Sequence, residues 1–125
     1  MHLPLDYVSF NLVEELKTLE PFGKGNSKPL FGEKNICVKR GFILGKNQNV
    51  LKLILLTKSG NTIEGLYFGN IDEFQSMLIE KFGESEVNKM YKGIKNEIKL
   101  DIIYFPTINE YMGNRNLQVI IQNYR

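Results

Sequence analysis

The chain has 125 residues, 42% of them hydrophobic and 24% charged, a composition typical of one globular domain. Apolar runs such as Leu53 to Leu56 are far too short to cross a bilayer, and the opening residues lack the basic and apolar regions of a signal peptide. The single cysteine, Cys37, cannot form an internal disulfide, so we expect a cytoplasmic protein without a membrane partner.

The net charge of +2 is unevenly distributed along the chain. Residues 24–58 hold eight lysines and arginines against one glutamate, whereas the rest of the chain holds eight bases and thirteen acids. A basic stretch on neighbouring strands attracts a polyanion such as nucleic acid. An ordinary solvated lysine face is an equally good interpretation of so short a segment.

The chain opens with a predicted helix. Ser9 is a suitable N-cap, and Leu12, Val13, Leu16 and Leu19 recur at helical spacing. The helix should end at Glu20, because Pro21 disfavours helical backbone in the residue before it. A loop is then expected up to about Asn35.

The loop contains "GKGNS", which has the glycines and lysine of a phosphate-binding loop but neither the spacing nor the strand–loop–helix context. Glycines allow positive φ where a chain turns. We therefore predict a structural joint, formed by Pro21, Phe22, Gly23, Gly25 and Asn26.

Three segments rich in β-branched and aromatic residues follow, and "NQN" and "SGN" separate them. They predict a three-stranded meander from about Ile36 to Phe68, in which Leu51, Leu53 and Leu55 share a buried face. Gly41 is expected to mark a bulge or a bend.

Two helices are predicted next. The first is capped by Asn70, carries the apolar stripe Ile71, Phe74, Leu78 and Phe82, and ends at Gly83; the second runs from Ser85 to Tyr91 and is closed by Gly93. Two last strands, "IKLDIIYFPTI" and "NLQVIIQNY", are joined by a loop from Asn109 to Arg115.

This order predicts a mainly β protein with helices (α+β): a five-stranded OB-fold Greek-key barrel, with a helix between strands 3 and 4 and a connecting helix before the barrel. Ligands bind such barrels on strands 2 and 3 and at the loops joining strands 1–2 and 4–5. Here those loops are Lys46 to Asn49 and Asn109 to Arg115.

The residues do not favour catalysis. One histidine and one cysteine make neither a zinc site nor a nucleophile pair, so we assign no catalytic residue and no metal ligand. Binding of a single strand needs bases for phosphates and aromatic rings for stacking. The candidates are Lys39, Arg40, Lys46, Lys52, Lys58 and Arg115 for phosphates, Tyr67 and Tyr111 for stacking, and Asn109 and Asn114 as hydrogen-bond donors. The alternative role of the tyrosines is core packing.

Two motifs carry a family resemblance. "LEPFGKGNSKPLF" is similar to the Leu-x-Pro-Phe-Gly-x-Gly-Asn-Pro-x-Pro-x-Phe stretch of the bacterial RecJ family, single-strand-specific DNA exonucleases, and "INEYMGNRNLQVII" to the Asn-x-Tyr-x-Gly…Leu-Gln run near the end of its OB domain. The resemblance spans about Leu3 to Arg125. The chain departs from the family pattern at Ser27, which replaces proline, and at Val50, which replaces histidine.

The resemblance implies that this chain is a fragment of a 5′→3′ nuclease, a hydrolase of DNA repair and recombination. The implied partners are single-stranded DNA and the DHH and DHHA1 domains of the parent chain; single-strand-binding protein enters only with the docking alternative below. The implied cofactor is Mn or Mg, held by those absent domains. Residues 1–34 would then be the end of the DHHA1 region, the connecting helix and the joint, and residues 35–125 the OB domain. Alternatives are an interdomain scaffold, a docking module for the acidic tail of single-strand-binding protein, and an RNA-binding OB domain.

Overall fold

The structure, a computed structural model, describes residues 1–19 and 28–125. Those residues form α1 (Phe10–Lys17), β1 (Phe31–Leu44), β2 (Val50–Leu56), β3 (Thr62–Tyr67), α2 (Ile71–Phe82), α3 (Glu84–Lys92), β4 (Lys99–Tyr111) and β5 (Asn114–Tyr124), with a 3₁₀ turn at Leu5–Tyr7 before α1. The predicted joint of Pro21, Phe22, Gly23, Gly25 and Asn26 lies outside the described residues. No helix in the described ranges has the length and apolar content needed to cross a bilayer.

The helix ends follow local capping chemistry. The Leu12 amide donates to Ser9 Oγ at 3.1 Å, and the Glu73 amide donates to Asn70 Oδ1 at 3.0 Å. Each bond satisfies a first-turn amide that has no partner inside its own helix. Gly93 closes α3 in the left-handed conformation, at φ 73°. These caps are the predicted ones, although α1 ends at Lys17, slightly before the expected stop.

The five strands close into a barrel in the order β1-β2-β3-β5-β4, with β4 returning to β1. The β3–β5 pair is parallel and all other pairs are antiparallel. This arrangement, with α2 and α3 inserted between β3 and β4, confirms the predicted OB-fold Greek-key barrel. Leu51, Leu53 and Leu55 line its interior and are fully buried, also as predicted.

Two strand details differ from the prediction. Strand β1 begins at Phe31 rather than Ile36, because Phe31 to Glu33 pair with Ile102 to Tyr104 of β4. The β1–β2 register shifts between Val38 and Arg40, so the bulge lies at Lys39 and not at Gly41. Gly41 has another role, since a Cβ placed there would lie 2.9 Å from Met90 Cε of α3. A side chain at this position would therefore displace the end of the Met90 side chain, which packs over the glycine.

The N-terminal segment, residues 1–8, lies against the first half of β1. The Gly32 amide donates to the Met1 carbonyl and the Leu3 amide to the Gly32 carbonyl, each at 2.9 Å. The Leu5 amide donates to Glu33 Oε1 at 2.7 Å, and Tyr104 Oη donates to the Leu3 carbonyl at 2.6 Å. Burial, and secondarily the nearby Glu33, raises the pKa of Tyr104. The segment therefore covers this part of the barrel through hydrogen bonds from both β1 and β4.

Candidate nucleic-acid interface

One row of outward-facing side chains crosses all five strands of the barrel. Each member is the direct register partner of the next, in the order Phe105 (β4), Ile120 (β5), Leu66 (β3), Lys52 (β2), Phe42 (β1). All five side chains are partly exposed, while the neighbours of Lys52 and Ile120 along their strands are buried in the core. We call this set the outer row. It lies on the face where OB-folds bind oligonucleotides.

Three predicted phosphate-binding residues lie at one side of this face. Lys39 is exposed at the β1 bulge, Arg40 follows it, and Lys46 is exposed in the turn between β1 and β2. Arg40 lies with its guanidinium carbon 4.6 Å from the Phe42 ring centroid. Within residues 1–19 and 28–125, none of the three forms an ion pair with a carboxylate. Their charges are therefore not neutralised by the described part of the chain.

Lys52 has a different environment. Its Nζ lies 3.1 Å from Glu64 Oε1, and Gln118 Nε2 donates to the other oxygen of Glu64 at 3.1 Å. Both charged side chains are about one-third exposed or less. Glu64 thus places a negative charge on the outer face and neutralises the lysine that the sequence nominates for phosphate binding.

Lys58 and Arg115 also have partners within the protein. Lys58 donates to the Asn35 carbonyl. Arg115 lies 2.7 Å from Glu14 and 3.2 Å from Glu110, and its guanidinium carbon is 5.3 Å from the Phe10 ring centroid. Because Phe10 and Glu14 belong to α1, Arg115 fastens that helix to the β4–β5 hairpin.

The two candidate tyrosines have contrasting surroundings. The Tyr67 ring packs against the core, with its centroid 5.0 Å from Phe74 and 5.3 Å from Tyr124. Burial, with a smaller contribution from Tyr67, raises the pKa of Tyr124 to about 12. Tyr111, by contrast, is 68% exposed near the tip of the β4–β5 hairpin.

The predicted loop from Asn109 to Arg115 is mostly strand. Asn109 pairs with Asn116 and Tyr111 with Asn114, so the connection is only Met112 and Gly113, at φ 52° and 82°. Positive φ at both central residues is the type I′ geometry that matches the twist of a two-residue hairpin. The hairpin therefore holds exposed Asn109, Tyr111 and Asn114 on an ordered ladder.

Residues 1–19 and 28–125 contain no cluster of three or more His, Cys, Asp or Glu side chains that could hold a metal ion. Phe42 belongs to the outer row but was not among the residues nominated from the sequence. The available signal was its position two residues after Arg40, because residues two apart share one face of a strand.

Comparison with known proteins places this geometry in context. The family described as the RecJ OB domain matches residues 1–123. Among solved structures, the chain is similar to RecJ from Thermus thermophilus, crystallised in complex with Mn2+, at a TM-score of 0.58 and 19% sequence identity. The similarity covers 91% of this chain but only 13% of the Thermus chain. No curated protein sequence matches the chain.

Proposed function

Because this chain belongs to the RecJ OB domain family, we propose that it binds single-stranded DNA for a RecJ-type exonuclease. In this proposal the parent enzyme degrades single strands from 5′ to 3′ in cytoplasmic DNA repair and recombination. Its DHH and DHHA1 domains hold the Mn or Mg ions and perform the hydrolysis. The part described here contributes grip on the strand and no catalytic residue.

The observation that carries the proposal is the set of uncompensated bases beside the outer row. Lys39, Arg40 and Lys46 are exposed and have no carboxylate partner among the described residues. Phosphates attract such cations because binding releases the counterions condensed on the strand. Lys46 lies in the β1–β2 turn, which in OB-folds borders the oligonucleotide path, and Lys39 and Arg40 lie earlier on β1, at its bulge.

The first test is a double substitution, Lys39→Gln with Lys46→Gln. We expect roughly tenfold weaker binding of labelled oligothymidylate at low salt, and a decrease of about 1.4 in the slope of log affinity against log salt, since each single-strand phosphate contact contributes about 0.7. Fluorescence anisotropy over a range of salt concentrations measures both quantities.

The matched control is Lys17→Gln with Lys81→Gln, which removes the same charge from helices α1 and α2. The control is expected to retain most of the affinity. If wild-type protein does not bind at low salt, or if both double variants lose affinity equally, DNA binding through this face is wrong.

A second prediction concerns Glu64. Glu64→Gln removes the negative charge that pairs with Lys52 at 3.1 Å while keeping the side-chain shape and a partner for Gln118. We expect roughly 2- to 5-fold tighter binding of the same oligonucleotide at low salt, because one repulsion is lost and one lysine becomes available. Glu80→Gln on the exposed side of α2 is the charge-matched control and should leave the affinity nearly unchanged. Unchanged affinity in Glu64→Gln would mean that the strand does not pass over Lys52.

Docking of the acidic tail of single-strand-binding protein is the second candidate function. The observation in its favour is the exposure of two apolar side chains at the end of the sheet where β1 meets β2 and β3 ends: Leu44 is 42% exposed and Phe68 57% exposed. An acidic peptide with apolar side chains would use both features. A tail peptide that binds this domain in the absence of DNA binding would favour docking, whereas an oligonucleotide that displaces the peptide would indicate a shared surface. Comparison of ribo- and deoxyribo-oligomers tests the RNA-binding alternative.

A further inference from the structure

The segment that joins α3 to β4 runs alongside the bulge of β1. The Val38 amide donates to the Ile98 carbonyl at 3.1 Å. A Cβ built on Gly93 would lie 3.1 Å from Arg40 Cδ and 3.2 Å from Nε and Nη1 of the same residue. The Arg40 guanidinium therefore lies against the glycine that closes α3. Arg40 thus connects the β1 side of the outer row with the end of this helix.

Hydrogen bonds within the α3–β4 segment hold its backbone in place. Asn96 Nδ2 donates to the Ile94 carbonyl at 3.2 Å, and Asn96 Oδ1 accepts the Ile98 amide at 2.9 Å. Glu86 Oε1 accepts the Glu97 amide at 2.9 Å, which ties the segment back to α3. Side chains on this segment are therefore presented from a hydrogen-bonded backbone, which lowers the entropy cost of ordering them in a complex.

Two exposed lysines at the end of α3 have no carboxylate partner. They are Lys92, the last residue of the helix, and Lys95, two residues after Gly93. No carboxylate in the described ranges 1–19 and 28–125 lies within ion-pair distance of either. Lys89, one turn earlier, is by contrast 2.9 Å from Glu86. We call Lys92 and Lys95 the α3 patch.

The α3 patch and the β1 bulge together are positively charged. Lys39 and Arg40 add two cations to the two of the patch, whereas residues 92–98 contain one exposed carboxylate, Glu97. The carbonyl end of α3 adds about half a negative charge. Four cations outweigh these charges. Because they are spread over two neighbouring elements and are exposed, they suit a flexible chain of phosphates better than one small anion.

We propose that the α3 patch is a second phosphate-binding site, which holds the part of a single strand that leaves the barrel at the β1 bulge. The inference rests on the proposed DNA binding and extends the path of the strand. OB-folds bind ligands on strands 2 and 3 and at the loops joining strands 1–2 and 4–5. The α3 patch lies outside all of these, so it would lengthen the bound segment beyond the barrel face.

The test compares wild type with the double variant Lys92→Gln, Lys95→Gln on oligothymidylates of increasing length. The series runs from about 4 to about 16 nucleotides, the range of site sizes of single OB-folds. Lys17→Gln with Lys81→Gln removes the same charge from α1 and α2 and is the matched control. Thermal unfolding verifies that each variant is folded. Fluorescence anisotropy at several salt concentrations measures the affinity and its salt slope.

We expect the effect of the double variant to depend on oligonucleotide length. With the longest strand, binding at low salt should be roughly 3- to 10-fold weaker, and the salt slope should decrease by about 1.4, since each single-strand phosphate contact contributes about 0.7. With the shortest strand, affinity and slope should match those of wild type, because the outer row and the β1 bulge alone hold it. The control should match wild type at both lengths.

A variant with the opposite expected effect is Glu97→Gln, which removes the carboxylate of residues 92–98. We expect roughly twofold tighter binding of the longest oligonucleotide at low salt, and no change for the shortest. Glu84→Gln, at the start of α3, is the charge-matched control and should leave the affinity unchanged. An affinity equal to that of wild type for the longest strand would contradict a path over this segment.

The outcomes separate this inference from the proposed function. If wild type binds no oligonucleotide of the series, DNA binding itself fails and the α3 patch fails with it. If wild type binds and the Lys92, Lys95 variant has the same affinity and salt slope at every length, the α3 patch alone is overturned. Equal losses at all lengths, or equal losses in the Lys17, Lys81 control, also overturn it. A loss seen with polyglutamate but not with the oligonucleotides would assign the patch to an acidic protein instead.

Discussion

Substitution of Phe74 by alanine is expected to lower the free energy of unfolding by about 3–5 kcal/mol. The Phe74 side chain is fully buried on α2, and its ring centroid lies 3.9 Å from that of Tyr124 and 5.0 Å from that of Tyr67. Alanine would leave a cavity between α2, β3 and β5, and it would remove two ring contacts in addition to the buried area. Because domains of this size are stable by about 5–15 kcal/mol, roughly a fifth of the stability or more would be lost.

Urea denaturation of wild type and variant measures the effect. Phe82→Ala on the same helix is the control, since Phe82 is only partly buried at the last position of α2 and its loss should cost clearly less. Phe74→Leu should recover part of the stability by filling some of the cavity. A loss below about 1 kcal/mol in Phe74→Ala would contradict the packing described for this helix.

Substitution of Glu33 by alanine is expected to cost about 1–3 kcal/mol and to loosen the N-terminal segment. The Glu33 side chain is 5% exposed, and its Oε1 accepts the Leu5 amide at 2.7 Å. Alanine leaves that buried amide without an acceptor, which costs more than the bond itself contributes. Glu33→Gln keeps an oxygen at the same place and should cost less than alanine.

Hydrogen exchange at the Leu5 amide, together with urea denaturation, separates the two substitutions. The alanine variant should exchange this amide much faster than the glutamine variant. If alanine and glutamine destabilise the protein equally, the hydrogen bond to Leu5 is not what holds the segment, and the remaining contacts, such as that of Tyr104 Oη with the Leu3 carbonyl, would have to do so.

Features that depend on neighbouring residues in the chain could be predicted from the sequence. Ser9 and Asn70 cap the predicted helices, Gly93 closes the last one, and the alternating leucines of β2 face the core. These signals are local because capping and strand alternation involve residues only a few positions apart. The element order, and with it the barrel, followed from them.

Features that depend on distant residues could not be predicted in the same way. Arg115 was counted as a free base, but its partner Glu14 lies 101 positions away, and Lys52 is paired with Glu64 of the next strand. Glu33 gave no sign of burial, since a carboxylate is buried only where tertiary structure supplies a donor. The sequence therefore shows where the bases lie along the chain, but it does not show that the charges of Lys52 and Arg115 are paired with carboxylates.

The predicted loop from Asn109 to Arg115 was too long for a third reason. The dipeptide Met112-Gly113 gives little indication of a two-residue hairpin turn, because Met112 adopts a positive φ of 52° that non-glycine residues seldom adopt. Sequence reasoning therefore extended the loop over Asn109, Tyr111 and Asn114, which are ladder residues.

The parallel β3–β5 pair also bears on how the chain reaches its native state. We call this pair the seam of the barrel. It consists of three register pairs: Glu64 with Gln118, Gly65 with Val119, and Leu66 with Ile120. The partners are far apart in the chain, 54 positions for Glu64 and Gln118. The β1–β3 meander and the β4–β5 hairpin each form between strands that are neighbours in the chain. Closing the seam brings together strands that are far apart in the chain, and the chain entropy lost in closing so long a loop makes this step slower. Barrel closure is therefore expected to be the late event of folding, after the two antiparallel units exist.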